Sequence, residues 1–281
     1  MTIQEFLTFS IAKLAKAGIT TARLDCLVLL EDATGKDRSY LLAHPEHILQ
    51  GRTLQGLRGG VLRRMEHVPL AYIREKAEFY GREFIVDKHV LVPRPETETM
   101  IELLKELMSE EQRNSSKELE FADIGTGSGC IAITAKLEIP QAKLYASDIS
   151  EHCLKIARNN AKYLDADVTF YQGNLLEPII AHCSLLTALL CNLPYVPSDY
   201  PINKAATHEP KPAIFGGNDG LHLYRNLFAQ IGHLHQKPTY VLTESLPFQH
   251  NALESIAKNV NYKLLNSDDL IQVFMTARHT A

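Results

Sequence analysis

The sequence Asp123-Ile124-Gly125-Thr126-Gly127-Ser128-Gly129-Cys130 places three glycines directly after a short apolar run. Glycines at a strand-to-helix turn let a ligand approach the backbone, and the first turn of the following helix offers free N–H groups. Close packing of a helix on a strand would by itself explain one or two of these glycines. Three of them, preceded by an acid, favour a nucleotide-like cofactor bound at Gly125–Gly129.

From Leu119 towards the C-terminus, apolar runs alternate with helical patterns, and this turn lies between the first run and the first helix. This alternation is typical of a doubly wound α/β domain, in which helices cover both faces of a mainly parallel sheet. The last two predicted strands, Tyr262–Leu265 and Leu270–Thr276, have no helix between them. One of these two strands is therefore expected to run antiparallel.

Two more strand ends carry polar residues that suit the same cofactor. Asp148 follows Gly129 by nineteen positions, where an acid can accept both hydrogen bonds from a ribose diol. The alternative role for Asp148 is to cap the next helix, which Ser150 could also do. Asn174 and Leu175 end the following strand, where Asn174 either meets an adenine amino group or simply belongs to a turn.

The stretch Leu189 to Pro197, L-L-C-N-L-P-Y-V-P, ends a fourth apolar strand on polar and turn residues. Asn192 lies at the carboxyl edge of the predicted sheet, where open α/β sheets bind ligands. Its side-chain carbonyl can accept one proton of a planar N–H₂ group beside the cofactor. Pro194 would help to aim a nearby backbone carbonyl at the other proton, and Tyr195 supplies a flat face. The stretch is thus interpreted as a clamp for an amide or an exocyclic amine, with an ordinary turn as the alternative.

Composition limits the class of protein. The 281 residues are 45% hydrophobic and carry a net charge of −4, which disfavours a protein that mainly grips nucleic-acid phosphates. The five cysteines lack metal-site spacing and the twelve histidines are scattered, so we expect reduced core thiols and no metal site. No secretion signal or membrane-spanning run is visible, which predicts a cytoplasmic protein.

Three regions are predicted along the chain. Residues 1–75 have helical periodicity, and Thr2 with Glu5 has the spacing of a capping box. Residues 76–95 contain aromatic and β-branched runs around Gly81, typical of a β-hairpin linker. Residues 96–281 hold the α/β pattern. A helix is expected from about Thr97 to Met108, followed by a solvated loop over residues 109–118.

These residues together resemble a known family. Gly125–Gly129, Asp148 and Asn192–Tyr195 are similar to the three sites of class I (Rossmann-like) S-adenosylmethionine-dependent methyltransferases. The wider chain resembles the HemK/PrmC family of release factor protein-(glutamine-N5) methyltransferases. The segments V-L-V-P-R-P-E-T-E (90–98) and H-E-P-K-P-A-I-F-G-G-N-D-G-L (208–221) carry this resemblance most specifically.

The resemblance implies an activity and a set of roles. The cofactor would be S-adenosyl-L-methionine, and the acceptor the glutamine in the Gly-Gly-Gln loop of class I peptide chain release factors. Catalysis would fall to Asn192, Pro194 and Tyr195, with Asn192 also next to the cofactor, and Leu193 and Glu209 would shape the substrate site. The N-terminal helical domain would recognise the partner, and the protein is expected to act as a monomer without binding nucleic acid directly.

Departures from the family pattern keep two alternatives open. The family usually has Asn-Pro-Pro-Tyr, whereas Leu193 stands in place of the first proline, and Leu242-Thr243-Glu244-Ser245 lacks an expected glycine. Asn-Leu-Pro-Tyr is the version seen in ribosomal RNA adenine dimethyltransferases, although residues 240–281 do not form the basic domain that RNA binding would require. A catalytically inactive binding protein with the same fold is the second alternative.

Overall fold

The computed structural model describes residues 1–114, 118–183 and 185–277. The chain divides into two compact units. The first contains Met1–Lys76 and, from much later in the sequence, Ile202–His208; the second contains the remainder of the chain. Sequence reasoning does not predict the later segment, because it carries no apolar periodicity that would assign it to the helical unit.

The first unit is built from five helices. They are α1 (Ile3–Lys16), α2 (Ala22–Thr34), α3 (Arg38–Ala43), α4 (Gly51–Met65) and α5 (Leu70–Arg74). The predicted capping box is confirmed, because Thr2 and Glu5 exchange side-chain-to-backbone hydrogen bonds at the start of α1. Sequence reasoning misses the short helix α5, because Pro69 predicts the end of a helix, whereas proline also starts helices well.

The predicted hairpin is confirmed, and all of it except its first residue belongs to the second unit. It pairs β1 (Lys76–Phe79) with β2 (Arg82–Ile85). Tyr80 and Gly81 form its turn with φ values of 52° and 68°, as a tight two-residue hairpin turn requires. The Asn160 side chain holds the end of β2 by accepting from the Ile85 N–H and donating to the Ile85 carbonyl.

The second unit contains a seven-stranded sheet. Its strands are β3 (Glu120–Ile124), β4 (Lys143–Asp148), β5 (Val168–Gln172), β6 (Ala188–Cys191), β7 (Tyr240–Glu244), β8 (Tyr262–Asp268) and β9 (Ile271–Thr276). They lie in the order β5-β4-β3-β6-β7-β9-β8, and β9 alone runs antiparallel to both of its neighbours. The direction of the strand order reverses between β3 and β6, and open α/β sheets bind ligands beside such a reversal.

Helices cover both faces of this sheet, which confirms the doubly wound fold. They are α6 (Glu98–Asn114), α7 (Cys130–Glu138), α8 (Glu151–Tyr163), α9 (Glu177–Ile180), α10 (Lys211–Ile214), α11 (His222–Gly232) and α12 (His250–Lys258). Successive residues of β3 serve opposite faces: Phe121 packs in one apolar cluster with Met100 and Leu104 of α6, and Ala122 in the other with Phe228 of α11.

The loop predicted over residues 109–118 is wrong for its first half. The α6 helix continues to Asn114, because Glu, Gln and Arg are good helix formers even without an apolar pattern. Residues 115–117 of that prediction lie outside the described residues. Within the described ranges, none of the helices combines the length and apolar character needed to cross a bilayer.

Candidate active site

The turn between β3 and α7 has the backbone conformation that its glycines allow. Gly125, Gly127 and Gly129 have φ values of 76°, 55° and 83°, a region that other residues rarely adopt. A side chain on Gly129 would come within 3.0 Å of the Ala157 Cβ on α8, so this glycine serves close packing. One on Gly127 would meet nothing within 4 Å. The close-packing interpretation therefore holds at Gly129, whereas Gly127 leaves space for a ligand to approach the backbone.

The Asp123 side chain stabilises this turn through two hydrogen bonds. One of its oxygens accepts from the Thr126 hydroxyl at 2.6 Å and from the Ala132 N–H at 3.1 Å. Burial raises the pKa of Asp123 to about 7. The acid before the glycines therefore ties the turn to the first residues of α7 and is itself fully buried.

Asp148 ends β4 beside the same turn. Its two oxygens accept the backbone N–H groups of Gly127 at 2.9 Å and Ser150 at 2.8 Å. Ser150, rather than Asp148, is the N-cap of α8, through its hydroxyl. Each carboxylate oxygen can still accept a further bond, so the site keeps the capacity to hold a diol. Burial raises the pKa of Asp148, and the backbone hydrogen bonds oppose this.

A cavity of about 380 Å³ lies at the carboxyl edge of the sheet, entirely within the second unit. It brings together ten of the residues predicted from the sequence: Gly125, Thr126, Gly127, Ser128, Asp148, Asn174, Leu175, Asn192, Leu193 and Pro194. Three others, Gly129, Tyr195 and Glu209, do not line it. The Asn174 amide at its rim donates to Glu177 at 2.9 Å, as in a turn, and still lines the cavity.

The residues after β6 form what we call the acceptor loop, Asn192–Tyr195. The Asn192 amide donates to the Thr97 hydroxyl at 3.0 Å, and the Tyr195 hydroxyl donates to Glu244 at 2.9 Å. Leu193 is only 2% exposed, and its Cδ2 lies 3.0 Å from where a Gly125 side chain would begin. The leucine therefore packs against the glycine turn, which the sequence did not predict.

The segment G-G-N-D-G, residues 216–220, packs against the backbone of the acceptor loop. A Cβ on Gly216 would lie 2.2 Å from the Pro194 carbonyl oxygen, and one on Gly220 would lie 1.9 Å from that of Tyr195. The Gln249 side-chain amide donates to the same Tyr195 carbonyl at 2.8 Å. The G-G-N-D-G segment thus has a local physical role: its glycines allow two backbone segments to touch.

Glu209 fastens the linker that follows the hairpin. One oxygen accepts the Val92 N–H at 3.0 Å, and the other accepts from Arg94 at 2.6 Å. The Glu209 side chain is 2% exposed, whereas that of Arg94 is 36% exposed. Glu209 therefore positions Val92 and Arg94, which do line the cavity. A direct contact between Glu209 and substrate stays a prediction.

Sequence reasoning missed two residues of this site. Thr97 is 2% exposed and Glu244 is 1% exposed, and they bond each other through the hydroxyl and a carboxylate oxygen at 2.7 Å. Glu244 also ends a strand at the carboxyl edge, which is the signal that identified Asp148 and Asn192. Thr97 carries no such signal, because it lies in a short 3₁₀ helix, Pro95–Thr97, before α6.

Comparisons with known proteins show the family to which the chain is similar. Residues 5–74 match the family model of the PrmC N-terminal domain, and residues 98–206 match that of the methyltransferase small domain. A release factor glutamine methyltransferase from Bacillus subtilis is 36% identical over 86% of this chain and 84% of its own length. The Bacillus anthracis protein of the same name is 40% identical, over 64% of each chain, so this chain spans about two thirds of it.

A solved structure is similar in fold alone. It is the hMettl16 catalytic domain in complex with a hairpin of the MAT2A 3′UTR, with a TM-score of 0.54 over 89% of this chain and 90% of that one. The two sequences are 12% identical. The likeness therefore supports the Rossmann-like methyltransferase sheet and carries no information about the acceptor.

Proposed function

The chain belongs to the release factor glutamine methyltransferase family, and from that premise we propose that it methylates the side-chain amide nitrogen of the glutamine in the Gly-Gly-Gln loop of class I peptide chain release factors. The observation that carries the proposal is the juxtaposition of two loops. The glycine turn after β3 and the acceptor loop after β6 follow neighbouring strands and line one cavity.

The residues at the cavity fit S-adenosyl-L-methionine, the cofactor that methyltransferases of this family use. Gly127 leaves open space beside the turn, and both oxygens of Asp148 keep acceptor capacity for a ribose diol. Asn174 and Leu175 line the same wall. When bound there, the cofactor supplies a methyl group activated by an adjacent sulfonium.

The acceptor loop has to make up for a weak nucleophile. An amide nitrogen delocalises its lone pair into its carbonyl, so positioning and hydrogen bonding contribute more than a strong base would. Asn192 would accept one proton of the acceptor N–H₂ group, and a backbone carbonyl next to it would accept the other. Pro194 shapes that backbone, and the ring of Tyr195 would contact the amide plane.

The two alternatives are separable from this proposal. An RNA adenine would present a similar N–H₂ group to Asn192, but the match of residues 5–74 to the PrmC N-terminal domain favours a protein acceptor. An inactive binding protein would have no need of a cofactor cavity joined to an amide-holding loop.

We also propose that residues 1–75 recognise the release factor, and that the protein acts as a cytoplasmic monomer without contacting nucleic acid directly.

The decisive experiment is methyl transfer from labelled cofactor to three acceptors in parallel. These are a class I release factor, the same factor with the glutamine of Gly-Gly-Gln changed to alanine, and ribosomal RNA. We expect label only in the first. Label in the altered release factor would disprove the choice of glutamine, and label in RNA alone would favour the adenine alternative. Cofactor binding without any transfer would favour the inactive protein.

A further inference from the structure

A buried chain of hydrogen bonds runs from the acceptor loop to the end of β7. The Asn192 Nδ2 group donates to Thr97 Oγ1 at 3.0 Å, and Thr97 donates to Glu244 Oε2 at 2.7 Å. The other oxygen, Glu244 Oε1, accepts from the Tyr195 hydroxyl at 2.9 Å. Glu244 thereby joins the two polar residues of the acceptor loop.

The direction of each bond in this chain follows from the number of protons. A carboxylate has no proton to give, so Thr97 and Tyr195 must both donate to Glu244. The Thr97 hydroxyl has a single proton, so only its lone pairs face Asn192. Asn192 must then place its N–H₂ group towards Thr97, and its carbonyl oxygen is left for the cavity.

The surroundings of Glu244 keep its position fixed. Glu244 is 1% exposed, so water does not compete for its bonds. The Tyr224 hydroxyl donates to the Glu244 carbonyl at 2.6 Å and accepts from its N–H at 3.2 Å. Burial raises the pKa of Glu244, and the hydrogen bonds from Thr97 and Tyr195 oppose that rise.

We propose that Glu244 and Thr97 are positioning residues that fix which end of the Asn192 amide faces the acceptor. The inference rests on the proposed function. It names the residues that make the site specific for a substrate group that donates an N–H. With the Asn192 oxygen facing the cavity, the site accepts a proton from a substrate amide. With the amide reversed, two N–H₂ groups would face each other, and the acceptor would lose its partner.

The first test compares three variants of the full-length protein. Thr97→Val removes the hydroxyl at nearly constant size, Thr97→Ser retains it, and Thr134→Val is the matched control. Thr134 is also a fully buried threonine of the second unit, and its hydroxyl has no hydrogen-bond partner among the described residues. The measurements are kcat and KM for release factor, the Kd for cofactor and the melting temperature.

We expect Thr97→Val to lower kcat about 10- to 100-fold while the Kd for cofactor stays within about threefold. Thr97→Ser should recover to within about threefold of the wild-type rate, and Thr134→Val should match the wild type. A merely structural role of Thr97 would lower the melting temperature of Thr97→Val relative to wild type and Thr134→Val, without the selective loss of kcat. Equal kcat values for Thr97→Val and wild type would overturn the inference.

The second test removes the acceptor of both hydroxyls. Glu244→Leu lacks both carboxylate oxygens at similar size, so the Thr97 proton is free to turn towards Asn192. We expect a loss of kcat at least as large as that of Thr97→Val. A Glu244→Leu enzyme with wild-type kcat would contradict the proposal. If this variant does not fold, the Thr97 pair decides alone.

A spectroscopic readout does not depend on turnover. In a ¹⁵N-labelled protein, the side-chain N–H₂ signals of Asn192 can be assigned by their absence in Asn192→Ala. We expect slow exchange of one proton in the wild type and in Thr97→Ser, and fast exchange in Thr97→Val. Fast exchange in all three would refute the Thr97 bond.

The two proposals can fail separately. If the wild-type enzyme labels no release factor, the proposed function fails. If the wild-type enzyme labels release factor and Thr97→Val is equally active, only the inference about Thr97 and Glu244 fails.

Discussion

The glycine turn and the acceptor loop follow neighbouring strands but are held in place differently. The turn is held by partners close in sequence, such as Asp123 with Thr126, three positions away, and by Asp148, 21 positions beyond Gly127. The acceptor loop depends on distant partners: Thr97 lies 95 positions before Asn192, and Gln249 lies 54 positions after Tyr195.

This difference suggests a division of labour. The turn presents backbone and one carboxylate, which suits a cofactor that is the same in every reaction cycle. The acceptor loop presents side chains whose orientation is set by a buried network, which suits the choice of one acceptor group. Changes in the turn should therefore affect cofactor affinity, and changes in the acceptor loop should affect transfer.

Gly220→Ala should have the largest effect. The new Cβ would lie 1.9 Å from the Tyr195 carbonyl oxygen, at a residue whose φ is 79°. Left-handed strain costs roughly 1–2 kcal/mol and overpacking roughly 1–3 kcal/mol, so unfolding free energy should fall by roughly 2–5 kcal/mol. Urea titration gives the stability, and single-turnover assays should show transfer reduced more than cofactor binding.

Gly81→Ala is the matched control for this change. Gly81 has φ 68°, and a Cβ added there would meet nothing within 4 Å. It should lose only the roughly 1–2 kcal/mol of backbone strain and keep normal transfer. Equal losses in the two variants would show that the contact between Gly220 and Tyr195 contributes nothing to the acceptor loop.

Asn192→Ala tests the acceptor loop directly. Loss of one transition-state hydrogen-bond partner typically costs about 10²–10³ in rate, roughly 2.7–4 kcal/mol, and the substrate also loses its orientation. Cofactor affinity should stay within a few-fold, by calorimetry. Asn192→Asp retains an acceptor oxygen, so some activity should persist if accepting protons is the whole role. Near wild-type transfer by Asn192→Ala would make Asn-Leu-Pro-Tyr only a turn.

Asp148→Ala tests the other side of the comparison. The ribose diol would lose a charged acceptor, which is worth roughly 1.5–3 kcal/mol, so the Kd for cofactor should rise about 10- to 150-fold. Ser150→Ala is its control, because it removes the cap of α8 and retains the Asp148 carboxylate. An unchanged Kd in Asp148→Ala would leave that residue with only its bonds to Gly127 and Ser150.

Leu193→Pro should have the smallest effect. It tests whether the glycine turn and the acceptor loop have separate roles. The proline restores the usual family pattern and stiffens the turn, and Leu193 packs towards Gly125. We therefore expect transfer equal to or above that of wild type, and at most a few-fold change in the Kd for cofactor. A large loss of kcat with unchanged Kd would mean that the leucine side chain acts on the acceptor.

The two loops also differ in how far the sequence predicted them. Glycines after a strand and an acid at the next strand end are local patterns, so the sequence alone predicts that Gly125–Ser128 and Asp148 line one cavity. Asn192 is found by the same strand-end signal. Thr97 is missed because its role depends on tertiary contacts that no local sequence pattern encodes. Glu244 carries the same strand-end signal as Asn192, but its partners Thr97 and Tyr195 are distant in sequence.

The inclusion of Ile202–His208 in the helical unit has a consequence for how the protein can be dissected. The chain passes between the units after Lys76, after Pro201 and after His208, and the His208 ring bonds the Glu66 carbonyl at 2.8 Å. A protein truncated to residues 77–281 would therefore still contain Ile202–His208, a segment of the deleted unit that follows Tyr195 by a few residues. A graft of the helical unit from a relative therefore needs three splice points, one at each crossing. An inactive truncation cannot be assigned to lost recognition, because the truncated chain keeps an unpartnered part of that unit.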